Sequence, residues 1–209
     1  MTRPEQLIKV DELGISFAGL IFYQPSPRYV LNRISPGVIK ELTLTNTRKV
    51  GVFVNDPVEI LLKTADKCGL DMVQLHGDES PEYCADISEH FPVIKVFRLT
   101  ENERVQNMID PYVDTVDFFM FDRNGTGYGG TGKKFNWELL NQADLNTPYF
   151  LSGGITPEDV AAVRWFKSLL PAENLYAIDM NSGFEISPGY KNMELVAQFV
   201  NEIKNNKSN

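Results

Sequence analysis

Short apolar segments alternate along this chain with stretches of helical length. The apolar segments are rich in β-branched and aromatic residues and number seven: Phe17–Tyr23, Lys49–Val54, Met72–Leu75, Val93–Phe97, Phe118–Phe121, Tyr149–Leu151 and Leu175–Ile178. Because parallel strands need a crossover between them, usually a helix, this alternation predicts parallel βα units rather than a sandwich of antiparallel sheets.

Proline and capping residues mark the starts of several intervening helices. The first is predicted over Pro4–Leu13, with proline near its start and Gly14 at its end. Asp-Pro at 56–57, Ser-Pro at 80–81 and Thr-Pro at 156–157 each place a capping residue before a proline at the first helical position. Since no Pro-, Gly- or Ser-rich linker interrupts the series, we expect one domain over residues 1–209, folded as a (β/α)8 TIM barrel.

The strand count is one short of that barrel. A closed barrel has eight strands, each followed by a helix, whereas this chain starts on a helix and shows seven strands. We therefore expect the first strand to be missing from this chain, and the gap between residues 17–23 and 175–178 to be filled in part by another chain or by solvent. An open seven-stranded sheet, which leaves two unpaired edges, or an unrecognised eighth strand is the alternative.

Charge and cysteine content restrict the partners. The chain has 20 basic and 28 acidic residues, a net charge of −8, which argues against nucleic acid and anionic membranes as partners. No apolar run approaches the roughly 20 residues that span a bilayer, and residues 1–6 lack the apolar stretch of a signal peptide. Cys68 and Cys84 are too few for a disulfide framework or a zinc site. We expect a cytoplasmic protein without a metal.

Polar residues that directly follow strands are the candidates for chemistry, because such barrels carry their sites at the C-terminal strand ends. Arg28, in a loop stiffened by two prolines, offers a planar fork of donors for a carboxylate. His76 could donate to a sugar hydroxyl. Asp122 ends an apolar strand, where partial desolvation raises its proton affinity and suits it to general acid catalysis. A surface arginine, a loop histidine and an aspartate that organises a glycine turn remain open as alternatives.

Glycines after the last two strands indicate a phosphate site. Gly153-Gly154 and Ser182-Gly183 lie in two such loops, and backbone amides at glycines approach an anion closely where loops end at helix N-termini. Two tight turns without a ligand are the alternative. A GxGxxG pattern at 125–130 matches the dinucleotide fingerprint, but no helix opens within it and no acidic residue ends the next strand. We interpret this segment as a mobile loop that closes over a ligand.

Six segments, taken in order, resemble the motifs of phosphoribosylanthranilate isomerase of tryptophan biosynthesis. They are FAGLIFYQPSPRYV, VGVFVN, VQLHGDE, FDRNGTGYGGTGKKFNW, LSGGITPEDV and AIDMNSGFEISPGYKN, and the similarity runs from Thr2 to about Phe199. The resemblance implies an intramolecular aldose-ketose isomerase that needs no cofactor and takes a small phosphorylated substrate. Its reaction is the Amadori rearrangement of N-(5-phosphoribosyl)anthranilate to 1-(2-carboxyphenylamino)-1-deoxyribulose 5-phosphate. A monomer or homodimer is expected.

The resemblance also implies roles for individual residues. Asp122 would be the general acid and Arg28 would bind the anthranilate carboxylate. Asp179 and His76 would contact sugar hydroxyls. The phosphate would be held by Gly153, Gly154, Ser182 and Gly183.

The general base is the exception. In the family it is a cysteine in a Lys-x-Cys-Gly-Met motif that closes the first strand, and Met1 aligns with the methionine just after it. Cys68 and Cys84 lie on other elements, so we expect the chain as written to be a poor isomerase. Among other phosphate-sugar barrels, an epimerase would need metal-binding histidines and an indole-glycerol-phosphate synthase a catalytic lysine, for which Lys95 is the inward candidate. A non-catalytic phosphate-ligand binder, or a partner subunit of another tryptophan-pathway enzyme, is the alternative from a different class.

Overall fold

Seven parallel strands form a curled sheet in which each strand pairs with its neighbours in chain order. The computed structural model describes residues 1–100, 104–123 and 136–205. The strands of this sheet are β1 (Phe17–Ile21), β2 (Arg48–Phe53), β3 (Met72–Leu75), β4 (Val93–Leu99), β5 (Phe118–Arg123), β6 (Tyr149–Leu151) and β7 (Leu175–Ile178). A short antiparallel hairpin follows, made of β8 (Glu185–Ser187) and β9 (Tyr190–Lys191).

Helices connect the strands and cover the outside of the curl. They are α1 (Pro4–Glu12), α2 (Pro36–Glu41), α3 (Val58–Cys68), α4 (Pro81–Ser88), α5 (Val105–Ile109), α6 (Val160–Phe166) and α7 (Met193–Lys204). A single 3-10 segment, Trp137–Gln142, lies in the described connection between β5 and β6. The first and last parts of the chain meet, because the Gln6 amide donates to Lys191 O (2.7 Å) and accepts from Lys191 N (3.0 Å).

The predicted helix starts are close to those observed. Ser80 caps α4 by accepting from Tyr83 N, with proline at the first helical position. Thr156 forms a capping box with Asp159, which opens a 3-10 turn that continues into α6. The prediction for α3 is wrong by one residue, because Pro57 occupies the cap position itself and the helix begins at Val58.

Strand bounds agree with the sequence pattern for β3, β6 and β7 and differ at the barrel rim. β1 ends two residues early, at Ile21, and β2 begins and ends one residue early. β4 and β5 each run two residues further than predicted, to Leu99 and Arg123, because their ladder continues through an Arg98–Asp122 pair. Polar rim residues interrupt the apolar pattern but not the backbone hydrogen bonds, so a hydrophobicity criterion ends such strands too soon.

Strand alternation separates an inner face from an outer face. Six buried residues form the inner cluster: Val50, Met72, Ile94, Val96, Met120 and Phe150. Two larger apolar clusters pack outside the sheet, beneath the helices. Because side chains repeat every second residue, the inward row of β5 continues from Met120 to Asp122, and that of β3 from Met72 to Gln74 and the following His76. Apolar strand interiors thus position polar groups at the rim.

The two ends of the sheet approach each other. The rings of Phe17 in β1 and Tyr176 in β7 have centroids 5.9 Å apart, and Phe17 lies 5.2 Å from Phe150. Within the described ranges, β1 and β7 each pair with a single strand. The fold is therefore α/β, with seven parallel strands in a curled half-barrel. What fills the space between β1 and β7 stays a prediction.

Candidate active site

One cavity of about 460 Å³ opens at the C-terminal ends of the strands. Six of the eight residues singled out from the sequence line it: Arg28, His76, Asp122, Gly154, Asp179 and Ser182. Gly153 and Gly183 are their chain neighbours. The cavity also extends between β1 and β7, where Ala18 and Ala177 line it together with Phe199 of α7.

Asp122 sits at the end of the inward row of β5, with its side chain 14% exposed. Burial raises its pKa to about 6, because a charged carboxylate loses hydration there, and the nearby charge of Asp179 acts in the same direction. The backbone N–H of Arg123 donates to Oδ1 at 2.7 Å and partly offsets the rise. This carboxyl group is therefore about half protonated at pH 6 and about one-tenth protonated at pH 7.

His76 faces Asp122 across the cavity, with 3.7 Å between its Nε2 and Asp122 Oδ2. Its Nδ1 lies 3.0 Å from the Gln74 side-chain nitrogen, which can only donate, so Nδ1 accepts and the ring proton is on Nε2. Burial, together with the positive charges of Arg98 and Lys95, lowers the pKa of His76 to about 4. The imidazole is neutral at physiological pH and presents an N–H to the cavity.

A buried ion pair supports the loop that carries His76. Lys95 Nζ donates to Glu79 Oε2 (2.9 Å) and to Gly77 O (2.9 Å). The Glu79 carboxylate accepts in addition from the backbone N–H groups of Gly77 and Asn55. The expectation that Lys95 points inward is wrong: it alternates along β4 with Ile94 and Val96 of the inner cluster, does not line the cavity, and has its ammonium held by these loop oxygens on the outer side of the sheet.

Arg28 reaches the cavity from the loop after β1 and makes a two-point ion pair with Glu185. Its Nη2 lies 2.7 Å from Oε2, and its Nε lies 2.9 Å from Oε2 and 3.1 Å from Oε1. Lys191, which also lines the cavity, donates to Glu185 Oε1 at 3.2 Å and to Asn181 O at 2.9 Å. Glu185 and Lys191 were not singled out from the sequence, although both belong to the motif AIDMNSGFEISPGYKN. No local sequence pattern indicates that Glu185 forms ion pairs with Lys191 and with the distant Arg28.

The two glycine loops lie against each other. Gly153 and Gly154 have φ angles of 95° and 78°, which favour glycine, and a Cβ on Gly183 would lie 2.5 Å from Ile155 O. One expectation is wrong: the loop after β7 does not lead into a helix but into a 3-10 turn, Ser182–Phe184, and the β8–β9 hairpin. The nearby Lys191 lines the cavity, but its ammonium is paired with Glu185 and Asn181.

Other sequence candidates lie elsewhere. Cys68 and Cys84 are buried in α3 and α4, away from the residues that line the cavity. The glycine-rich segment interpreted as a closing loop falls at 124–135, outside the described residues. Within the described ranges there is no group of three or more His, Cys, Asp or Glu suited to a metal ion, and no helix with the length and apolar character to cross a membrane.

Comparison with known proteins agrees with this geometry. The family model for N-(5′-phosphoribosyl)anthranilate (PRA) isomerase matches residues 1–202. An N-(5′-phosphoribosyl)anthranilate isomerase from Parabacteroides distasonis is 37% identical over 97% of this chain and 90% of its own length. The crystal structure of the Thermotoga maritima isomerase superposes with a TM-score of 0.80 at 31% identity, covering 98% of this chain and 95% of that one.

A further crystal structure shows a phosphoribosylanthranilate isomerase in complex with reduced 1-(o-carboxyphenylamino)-1-deoxyribulose 5-phosphate. It has a TM-score of 0.77 at 29% identity and covers 98% of this chain and 95% of its own. A family match over nearly the whole length, a relative above 30% identity and a cavity at the expected strand ends agree with one another. This chain belongs to the N-(5′-phosphoribosyl)anthranilate isomerase family.

Proposed function

We propose that this chain catalyses the isomerisation of N-(5′-phosphoribosyl)anthranilate in tryptophan biosynthesis. The aminoaldose opens when its ring oxygen gains a proton and its nitrogen forms an imine with C1. Loss of the C2 proton then gives an enamine-enol, which becomes the ketone 1-(o-carboxyphenylamino)-1-deoxyribulose 5-phosphate. No atom is gained or lost, so the protein has to move protons and hold three features of the substrate: a carboxylate, a sugar and a phosphate.

Asp122 carries this proposal. A carboxyl group with a pKa of about 6 at the rim of the cavity can be protonated in the resting site and still release its proton near neutral pH. We assign it the protonation of the ring oxygen. His76, 3.7 Å away, is neutral and so does not hold Asp122 in its ionised form, and the positive charge of Arg98 offsets only part of the rise in the pKa of Asp122.

We assign the substrate-binding roles from the family resemblance, and the position of Arg28, His76 and Asp179 around one cavity supports the assignment. Arg28 binds the aromatic carboxylate, and Asp179 and His76 contact sugar hydroxyls. The Ser152 hydroxyl donates to Asp179 Oδ2 at 3.0 Å and so orients that carboxylate. The phosphate binds between Gly153-Gly154 and Ser182-Gly183. The substrate is thus a small phosphorylated molecule, and we place the enzyme in the cytoplasm.

We also propose that a closed barrel needs an eighth strand between β1 and β7, where the cavity extends. A second proposal is that this chain without such a strand is a slow isomerase. The family resemblance assigns the base to a cysteine on such a strand, whereas both cysteines of this chain are buried in helices. Loss of one proton-transfer group lowers a rate by roughly 10²–10⁴.

Turnover of N-(5′-phosphoribosyl)anthranilate, followed by arylamine fluorescence, tests both statements. The chain is compared with a version extended by a strand that carries the cysteine motif. We expect measurable turnover that increases by roughly 10²–10⁴ in the extended version. Equal rates contradict the proposal on the strand. Tight binding of the reduced product analogue with no turnover in either version contradicts the isomerase and favours a phosphate-ligand binder.

A further inference from the structure

One edge of the Arg28 guanidinium is hydrogen-bonded to the carboxylate of Glu185. Its Nε and Nη2 hydrogens point at Glu185, with all three nitrogen–oxygen distances between 2.7 and 3.1 Å. A guanidinium has a second edge, formed by Nη1 and the remaining Nη2 hydrogen, which matches a carboxylate equally well. Arg28 lines the cavity, whereas Glu185 is not among the lining residues. The arrangement therefore leaves Arg28 one edge for a second carboxylate.

Glu185 is itself rigidly held. Its side chain is 5% exposed, and its Oε1 accepts from Gly189 N at 3.1 Å and from Lys191 Nζ at 3.2 Å, in addition to Arg28. Burial raises the pKa of Glu185, but the hydrogen bond from Arg28 and the charge of Lys191 lower it more, and the net pKa is below its ordinary value. Glu185 is thus a permanent anion between two cations, and it prevents Arg28 and Lys191 from repelling each other.

We propose that Glu185 is a positioning residue for substrate selection: it holds Arg28 side-on, so that the free edge of the guanidinium meets the aromatic carboxylate of the substrate. This inference rests on the proposed function, because it takes Arg28 as the carboxylate-binding residue. An arginine fixed in advance loses less conformational entropy when the ligand arrives, and its planar fork then favours an ortho-carboxylated arylamine over one without a carboxylate.

The alternative is that Glu185 competes with the substrate for Arg28. The two ideas predict opposite signs. If Glu185 positions Arg28, its loss weakens binding of a carboxylated ligand. If Glu185 competes, its loss strengthens that binding.

The test uses two ligands, the reduced product analogue and its phenylamino counterpart without the carboxylate, measured by calorimetry on the full chain and on its variants. In Glu185→Gln we expect affinity for the carboxylated ligand to fall roughly tenfold, as for one weakened charge-assisted hydrogen bond, with no change for the other ligand. Exposed Glu194→Gln, at the start of α7, is the matched control. A second variant, Glu185→Asp, keeps the charge but shortens the side chain, so it tests positioning if Glu185→Gln does not fold.

The outcomes separate the two levels of the argument. If Arg28→Ala discriminates between the two ligands as strongly as the parent chain does, Arg28 does not bind the carboxylate. The proposed role of Arg28 then fails. If Arg28→Ala loses that discrimination but both Glu185 variants keep it, only the positioning role is overturned. The same holds if the Glu185 variants bind the carboxylated ligand more tightly than the parent chain does. A Glu185→Gln effect that disappears in the Arg28→Ala background supports it.

Discussion

Replacing Asp122 by Asn should make the protein more stable at neutral pH while it impairs catalysis. Burial raises the pKa of Asp122 from 3.8 to about 6. A carboxyl group whose pKa is higher in the folded state contributes stability below pH 4, and that contribution is lost as the pH rises through 6. Above pH 7 the folded protein therefore retains a carboxylate that its surroundings disfavour, and asparagine removes this penalty.

The expected size follows from the pKa values. Moving from 3.8 to about 6 corresponds to about 3 kcal/mol, at about 1.4 kcal/mol for each pH unit. The side chain is 14% exposed, so solvent screens little of this, and an asparagine oxygen can still accept from Arg123 N. For a chain of this length 1 kcal/mol shifts Tm by roughly 2–4 °C, so we expect Asp122→Asn to melt roughly 6–12 °C higher at pH 8.

Thermal and urea unfolding at pH 4 and pH 8 test this, with turnover measured on the same samples. We expect no stability difference at pH 4, the increase at pH 8, and kcat lower by roughly 10²–10⁴. Exposed Asp114→Asn is the control and should change neither quantity. If Asp122→Asn is no more stable than the parent at pH 8, or is equally stabilised at pH 4, the raised pKa and the acid role built on it are refuted.

Two further predictions concern the tautomer of His76 and the two glycine loops. The chain has two histidines, so ¹⁵N NMR should resolve His76 as a neutral ring protonated on Nε2 at pH 7, with a pKa of about 4; a ring protonated on Nδ1 would mean that the amide of Gln74 accepts rather than donates, and would refute the tautomer given above. Gly183→Ala places a Cβ 2.5 Å from Ile155 O and should separate the two glycine loops that we propose hold the phosphate, raising KM roughly tenfold. Gly37→Ala, where a Cβ meets nothing within 4 Å, should leave KM unchanged, and an unaltered KM in Gly183→Ala would exclude these loops as the phosphate site.

Local patterns in the sequence predict much of this fold, because they report on strands and helix caps. The apolar runs at 72–75, 149–151 and 175–178 coincide with β3, β6 and β7. β3 and β6 are buried, and parallel strands buried on both faces are largely apolar, whereas β7 at the edge of the sheet is only partly buried. Asp122 and His76 could be singled out for a related reason. Each directly follows a predicted apolar run, at 118–121 and 72–75, and alternation along the strand turns it towards the interior.

The charge network could not be predicted in the same way. Arg28 and Glu185 are 157 residues apart, and their pairing depends on how the curl brings the loop after β1 next to β8. The β8–β9 hairpin is equally invisible locally, because Glu185–Ser187 and Tyr190–Lys191 are too short for a periodic signal. Motif resemblance marked the segment as functional but could not say that its glutamate would hold an arginine from the other end of the chain.

The long separation in sequence between Gln6 and Lys191, and between Arg28 and Glu185, has a consequence for biosynthesis. During translation α1 and the first strands leave the ribosome long before β8 and β9 are synthesised. An unfinished polypeptide can therefore pack its early strands, but Arg28 does not yet have Glu185 as its partner. The ion pair that holds Arg28 therefore forms only at the end of translation. If Glu185 positions Arg28 as proposed, prematurely terminated products that lack the last 25 or so residues should bind the carboxylated ligand more weakly even where they have become compact.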